Sequence, residues 1–186
     1  MQKPLLLILA VLLVSGSTAF AMDPAVEKTV KAMDQKAQEG QIAEVLEEAR
    51  ARVTRADTAV NRYLLGRAYG MNQQFEKARE QFERVLEMDM RSPLAYHGLG
   101  AYYLVKGETD EAERNLRKAI ELDETFTRAH IELGKLFLAK QDLLQARRQF
   151  LKVLSFEPDN NDVRALLAFQ YLREQPVAEG LRGQED

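Results

Sequence analysis

A leucine–glycine pair with an aromatic residue three places further on occurs three times at a fixed interval of 34 residues: Leu65-Gly66 with Tyr69, Leu99-Gly100 with Tyr103, and Leu133-Gly134 with Phe137. Ala78, Ala112 and Ala146 keep the same interval. So do the large apolar residues four places later, Phe82, Leu116 and Phe150, and then Val85, Ala119 and Val153. A strict period of this length means stacked copies of one unit, each burying a face that it cannot bury alone. The surrounding pattern is helical, and a glycine inside a helix costs roughly 0.5–1 kcal/mol relative to alanine. Its repetition therefore predicts a close approach between two helices, with Gly66, Gly100 and Gly134 facing Ala78, Ala112 and Ala146.

Local signals divide each copy into two helices. Ser92-Pro93 has the form of an N-cap followed by proline in the first turn. Asp110 to Glu113 and Asp142 to Gln145 have capping-box form. Gly107 suits the left-handed position that ends a helix, and Asn72 and Gln141 fall near the equivalent turns. The expected pairs are 59–71 with 74–88, 93–106 with 109–122, and 127–140 with 142–155.

Residues 22–58 read as a degenerate helix pair broken at Glu39-Gly40, with Val45, Leu46 and Ala49 facing inward. Residues 161–175 form a capping helix carrying Leu166, Phe169 and Leu172, halted before Pro176, and 176–186 form a polar, disordered tail. The first 21 residues differ in kind. Lys3 precedes an apolar run from Pro4 to Val14, and Ala19-Phe20-Ala21 has the small-x-small form of a signal-peptidase site. Eleven apolar residues fall short of the ~20 that span a bilayer. The expectation is a cleaved signal peptide and a periplasmic or secreted protein starting at Met22.

The repeating pattern resembles the tetratricopeptide repeat family over residues 59–160. The resemblance assigns repeats to 59–92, 93–126 and 127–160, departing from the family where Arg62, Tyr96 and His130 replace its leading tryptophan. It implies an all-α, right-handed superhelical solenoid whose first helices line a concave, peptide-binding groove. Carried over by register, the groove residues are Tyr63, Leu64 and Arg67, then His97, Gly98 and Ala101, then Arg128, Glu132 and Lys135. Gly98 would leave room on the wall, for a ligand or for a long neighbour such as Arg67, so alanine there should be harmless. Some relatives clamp a C-terminal carboxylate. Only Arg128 fits that clamp well, because Tyr63, Gly98 and Glu132 occupy other clamp positions.

Other functions find little support. A net charge of −3, from 26 basic and 29 acidic residues, argues against nucleic acid as a partner. The absence of cysteine removes disulfides and thiol chemistry. His97, His130 and Glu132 are the only conceivable zinc set, and two histidines on a helical array are more simply packed side chains. No pattern implies a cofactor or a catalytic group. The expected function is a non-catalytic adaptor of the cell envelope that holds a peptide of a protein partner, acidic or C-terminal, during assembly of a complex. A self-associating scaffold is the alternative.

Overall fold

The computed structural model describes residues 23–174. The expected signal peptide and tail, and the side chain of Leu172, lie outside the described residues. Within them the chain is helical, with no strand: α1 (Pro24–Gln38), α2 (Ile42–Arg55), α3 (Ala59–Met71), α4 (Phe75–Met88), α5 (Pro93–Lys106), α6 (Thr109–Leu122), α7 (Thr127–Ala139), α8 (Leu143–Phe156) and α9 (Asn161–Glu174). The helices α3 to α9 end within one residue of the positions that periodicity predicts.

Short turns fold α3 on α4, α5 on α6 and α7 on α8, and these pairs stack in chain order. The first helices of successive pairs also touch one another, α1 with α3, α3 with α5 and α5 with α7, which makes theirs the inner side of the stack. Two apolar clusters result. One runs from α1 to α5 and includes Val30, Tyr63, Phe82 and Val85; the other runs from α6 to α9 and includes Leu116, Phe126, Phe150 and Val163. Leu94 and Tyr103 pack against both and join them.

The caps explain the helix limits. Thr58 accepts from Asn61 N at 3.2 Å and Asp142 from Gln145 N at 3.0 Å. Pro24 and Pro93 open their helices, though Ser92 makes no side-chain cap bond. Gly107 ends α5 at φ +76°, and Gln73 and Gln141 take the same left-handed region at the equivalent turns. The capping box expected at Asp110 does not form: Glu108 is the N-cap and Asp110 lies inside the first turn.

The repeat glycines do allow close approach, but their neighbours are not the alanines. A Cβ on Gly134 would sit 2.5 Å from the Phe150 ring, and one on Gly100 would sit 2.8 Å from the Leu116 side chain. At Gly66 the Phe82 ring blocks the space in the same way. The large apolar residue of the second helix drops into the notch that the glycine leaves, while Ala78, Ala112 and Ala146 are buried beside it. Gly98 corrects the sequence expectation. It faces no open wall, because the Phe82 ring already fills its space from the other side. Phe82 is thus gripped between two glycines of neighbouring first helices.

Gly98→Ala should therefore destabilise the protein by ~1–3 kcal/mol, through overpacking against a buried ring. Gly70→Ala, with nothing within 4 Å of the new methyl, should stabilise it by roughly 0.5–1 kcal/mol. Urea denaturation of the two variants checks both signs, and equal effects would contradict the packing described.

Candidate functional site

The inner side is closed more tightly than its repeat register implies. Tyr63, Leu64, His97 and Gly98, expected on an open groove wall, are all buried. Tyr63 and His97 occupy the same position in successive repeats, and their stacking brings Tyr63 Oη to 3.1 Å from His97 Nδ1. His97 Nε2 lies 3.2 Å from Glu132 Oε1 on α7, and the Phe126 ring lies 5.0 Å from the imidazole between centroids. Nε2 thus faces a carboxylate, which can only accept, while Nδ1 lies within hydrogen-bond distance of the Tyr63 hydroxyl.

Burial alone would raise the Glu132 pKa, but His97, Arg67 and Lys135 outweigh it and hold the carboxyl below its ordinary value. Burial pushes the Tyr63 phenol up, so it stays neutral. Arg67 is held charged above its usual value: burial opposes the charge, while Tyr63, Asp34 and Glu132 favour it. Three polar atoms in this cluster, Arg67 Nε, His97 Nε2 and Glu132 Oε2, are buried without a hydrogen-bond partner. A buried polar atom left unpaired costs about 1–3 kcal/mol, a penalty lessened at His97 Nε2 by the Glu132 carboxylate 3.2 Å away.

The register alone presents Arg67, Arg128 and Lys135 as mutually repelling cations with Glu132 as the only groove acid. That picture is corrected by α1. Asp34 accepts from Arg67 Nη2 at 2.5 Å and from Arg128 Nη1 at 3.1 Å. Glu27 receives the other fork of Arg128, from Nε and Nη2, each at 3.2 Å. Both acids stand on one helix whose period the repeat pattern misses. The signal that could have found them is their spacing of seven, which puts them on one helical face beside Val26, Val30 and Met33.

Lys135 is exposed and Ala101 half-buried. Ala101 lines an apolar cleft of about 190 Å³ with Met71, Phe75, Phe82 and Val105, and Arg67 stands at its edge. The zinc set considered from the sequence is not assembled. Both ring nitrogens of His130 are engaged elsewhere, Nδ1 with Gln149 Oε1 at 2.8 Å and Nε2 with the Glu124 carbonyl at 3.0 Å. No group of three such ligands converges among the described residues, and no described helix is long and apolar enough to cross a membrane.

Lowering the Glu132 pKa in the folded state has a defined sign. Its contribution to stability is complete above the ordinary glutamate value of 4.5 and is lost as pH falls through the lower folded value. Glu132→Gln should therefore make stability fall less steeply below about pH 4.5, measured by urea unfolding across a pH series. An unchanged acid limb would contradict the assignment.

Comparison with known proteins places this geometry. Two tetratricopeptide repeat models match the chain, at residues 63–125 and 103–168. A comparison with curated proteins finds no match. Among solved structures, the thermophilic repeat protein TTC0263 of Thermus thermophilus is similar: 23% identity, TM-score 0.66, 81% of this chain and 82% of that one covered. Pseudomonas aeruginosa PilF aligns at 19% identity and TM-score 0.62, over 81% of this chain and 69% of its own. The first repeat domain of Spaghetti (RPAP3), solved with the HSP90 peptide SRMEEVD, aligns at 20% identity and TM-score 0.59, over 63% of this chain and 96% of its own. At these identities the solved structures share the fold and nothing finer. The repeat matches, the glycine notches and the inner face built from first helices together make this chain a member of the tetratricopeptide repeat family.

Proposed function

We propose that the protein is a non-catalytic adaptor of the cell envelope that binds a peptide segment of a protein partner along its inner face. The family fold is a scaffold for protein–protein interaction, and its modules are generally non-catalytic. One observation carries the finer reading: Arg67 and Arg128, from first helices two repeats apart, converge on a single carboxylate, Asp34. A channel that focuses two guanidiniums on one point recognises a carboxylate by paired, charge-assisted hydrogen bonds. Glu132 and Lys135 complete the polar edge and Ala101 its apolar side, while Tyr63, Leu64, His97 and Gly98 shape the floor beneath. The related repeat domain solved with SRMEEVD, a peptide bearing three acidic residues, supports the choice of an acidic guest.

The envelope address rests on Lys3, the apolar run from Pro4 to Val14 and Ala19-Phe20-Ala21. A photo-reactive amino acid at Lys135, beside the channel, and another at Leu144, 65% exposed on a second helix, test both parts in a native envelope preparation. The expected result is a crosslink to a partner protein from position 135 and none from 144, on a chain whose first residue is Met22. Crosslinks from 144 alone would overturn the channel. Crosslinks from 135 only to a second copy of the chain would establish a self-associating scaffold instead. Retention of residues 1–21 would overturn cleavage and export.

A further inference from the structure

We infer that α1 is a resident occupant of the channel, held in cis, and that the partner the channel fits is an amphipathic helix bearing two carboxylates seven residues apart. The inference rests on the channel reading above and adds the guest's chemistry and its competitor. In a repeat stack each unit touches its neighbours alone. Arg128 breaks that rule by bonding to residues 94 and 101 positions earlier in the chain. These ion pairs tie α1 to α7 across the inner face.

It makes that contact as a ligand would. Glu27 and Asp34 are two helical turns apart and share a face. Val26, Val30 and Met33, beside them, are buried. The start of α1 shares a cavity rim with the starts of α3 and α5 and with Phe126 at the foot of α7. Its packing against α2 is looser than the packing within the later pairs. A surface cleft of about 200 Å³ runs along the α1–α2 seam, lined by Ala32, Met33, Val45 and Ala49, the last three of which are buried in one apolar cluster. Half-buried Lys36 bridges the two helices to Glu44 and Glu48. Gly40, at φ +82° with open space around it, forms the turn between them and suits a hinge.

With α1 withdrawn, Arg67 and Arg128 lose their carboxylates above a floor where Arg67 Nε already lacks a hydrogen-bond partner. A guest must return two carboxylates at that spacing and an apolar stripe beside them. Glu132 beside Arg67 disfavours a more highly charged guest such as a phosphate. A guest of this kind competes with a tethered copy of itself, so its apparent affinity falls by the fraction of chains whose channel is open.

The test uses a fluorescent peptide of residues 24–38 as the probe, titrated into the full chain and into Glu27→Lys/Asp34→Lys, whose own α1 can no longer dock. The double variant should bind the peptide at least tenfold more tightly than the unaltered chain, and adding Arg128→Gln to it should remove the binding. Equal affinity for both chains, or no binding to either, would overturn the inference. Hydrogen exchange on the unaltered chain gives a second readout that needs no variant. The amides of α1 should exchange faster as salt rises and screens the ion pairs, while α5 to α8 stay protected. Exchange in α1 as slow as in α5 and indifferent to salt would also overturn it. Failure of the peptide while partner crosslinks from position 135 persist would sink this inference alone. Peptide binding with partner crosslinks only from position 144 would sink the channel as the partner's site and leave the docking of α1 standing.

Discussion

The insertion of one large apolar side chain into the notch of a glycine on the facing helix sets the geometry of everything else. Phe82 enters at Gly66, Leu116 at Gly100 and Phe150 at Gly134. Each insertion fixes how closely two helices of a pair approach, and so the step from one repeat to the next. Gly98 adds a second grip on Phe82 from the following repeat, which locks α3, α4 and α5 together. Because the step is fixed, side chains on successive first helices arrive at one line. Tyr63, His97 and Glu132 can then form a buried polar chain, and Arg67 and Arg128 can meet over one carboxylate.

That chain is an unusual use of a core. An apolar stack would have no unsatisfied atoms, yet here Arg67 Nε, His97 Nε2 and Glu132 Oε2 are buried without a hydrogen-bond partner, although Nε2 stands 3.2 Å from the Glu132 carboxylate. Half-satisfied networks are costly because the same low dielectric that strengthens each bond penalises each orphan. The charges nevertheless balance locally: Glu132 faces His97, Arg67 and Lys135, and Asp34 and Glu27 face the two arginines. Removing α1 from this set leaves two cations to be answered by something else. The cost of the polar floor and the looseness of α1 thus belong to one arrangement, in which carboxylates are exchanged over a fixed pair of guanidiniums.

The fold is legible in the sequence because period and helix punctuation depend on neighbours along the chain. Repeated Leu-Gly pairs, Gly107, Pro93 and the Asp142 cap mark the helices without reference to anything distant. The site is legible in part. Register places Arg67, Arg128 and Lys135 on first helices, but it cannot show that Asp34 answers both arginines. Their partners sit in the degenerate first pair, where the 34-residue period gives no alignment, and the contact spans about half the chain. Gly98 misleads for a related reason. The ring that fills its notch comes from the preceding repeat, and a pattern read within one repeat sees only an empty wall.

The account depends most on the bond between α1 and α7. A double-mutant cycle on Glu27 and Arg128, with each changed to glutamine singly and together, measures it directly by urea unfolding of the full chain. The two side chains are only 24% and 20% exposed and share a fork of two hydrogen bonds. If α1 lies across the channel, the pair should couple by about 1 kcal/mol or more. Additive effects, with a coupling below roughly 0.3–0.5 kcal/mol, would mean that the helix is not held there.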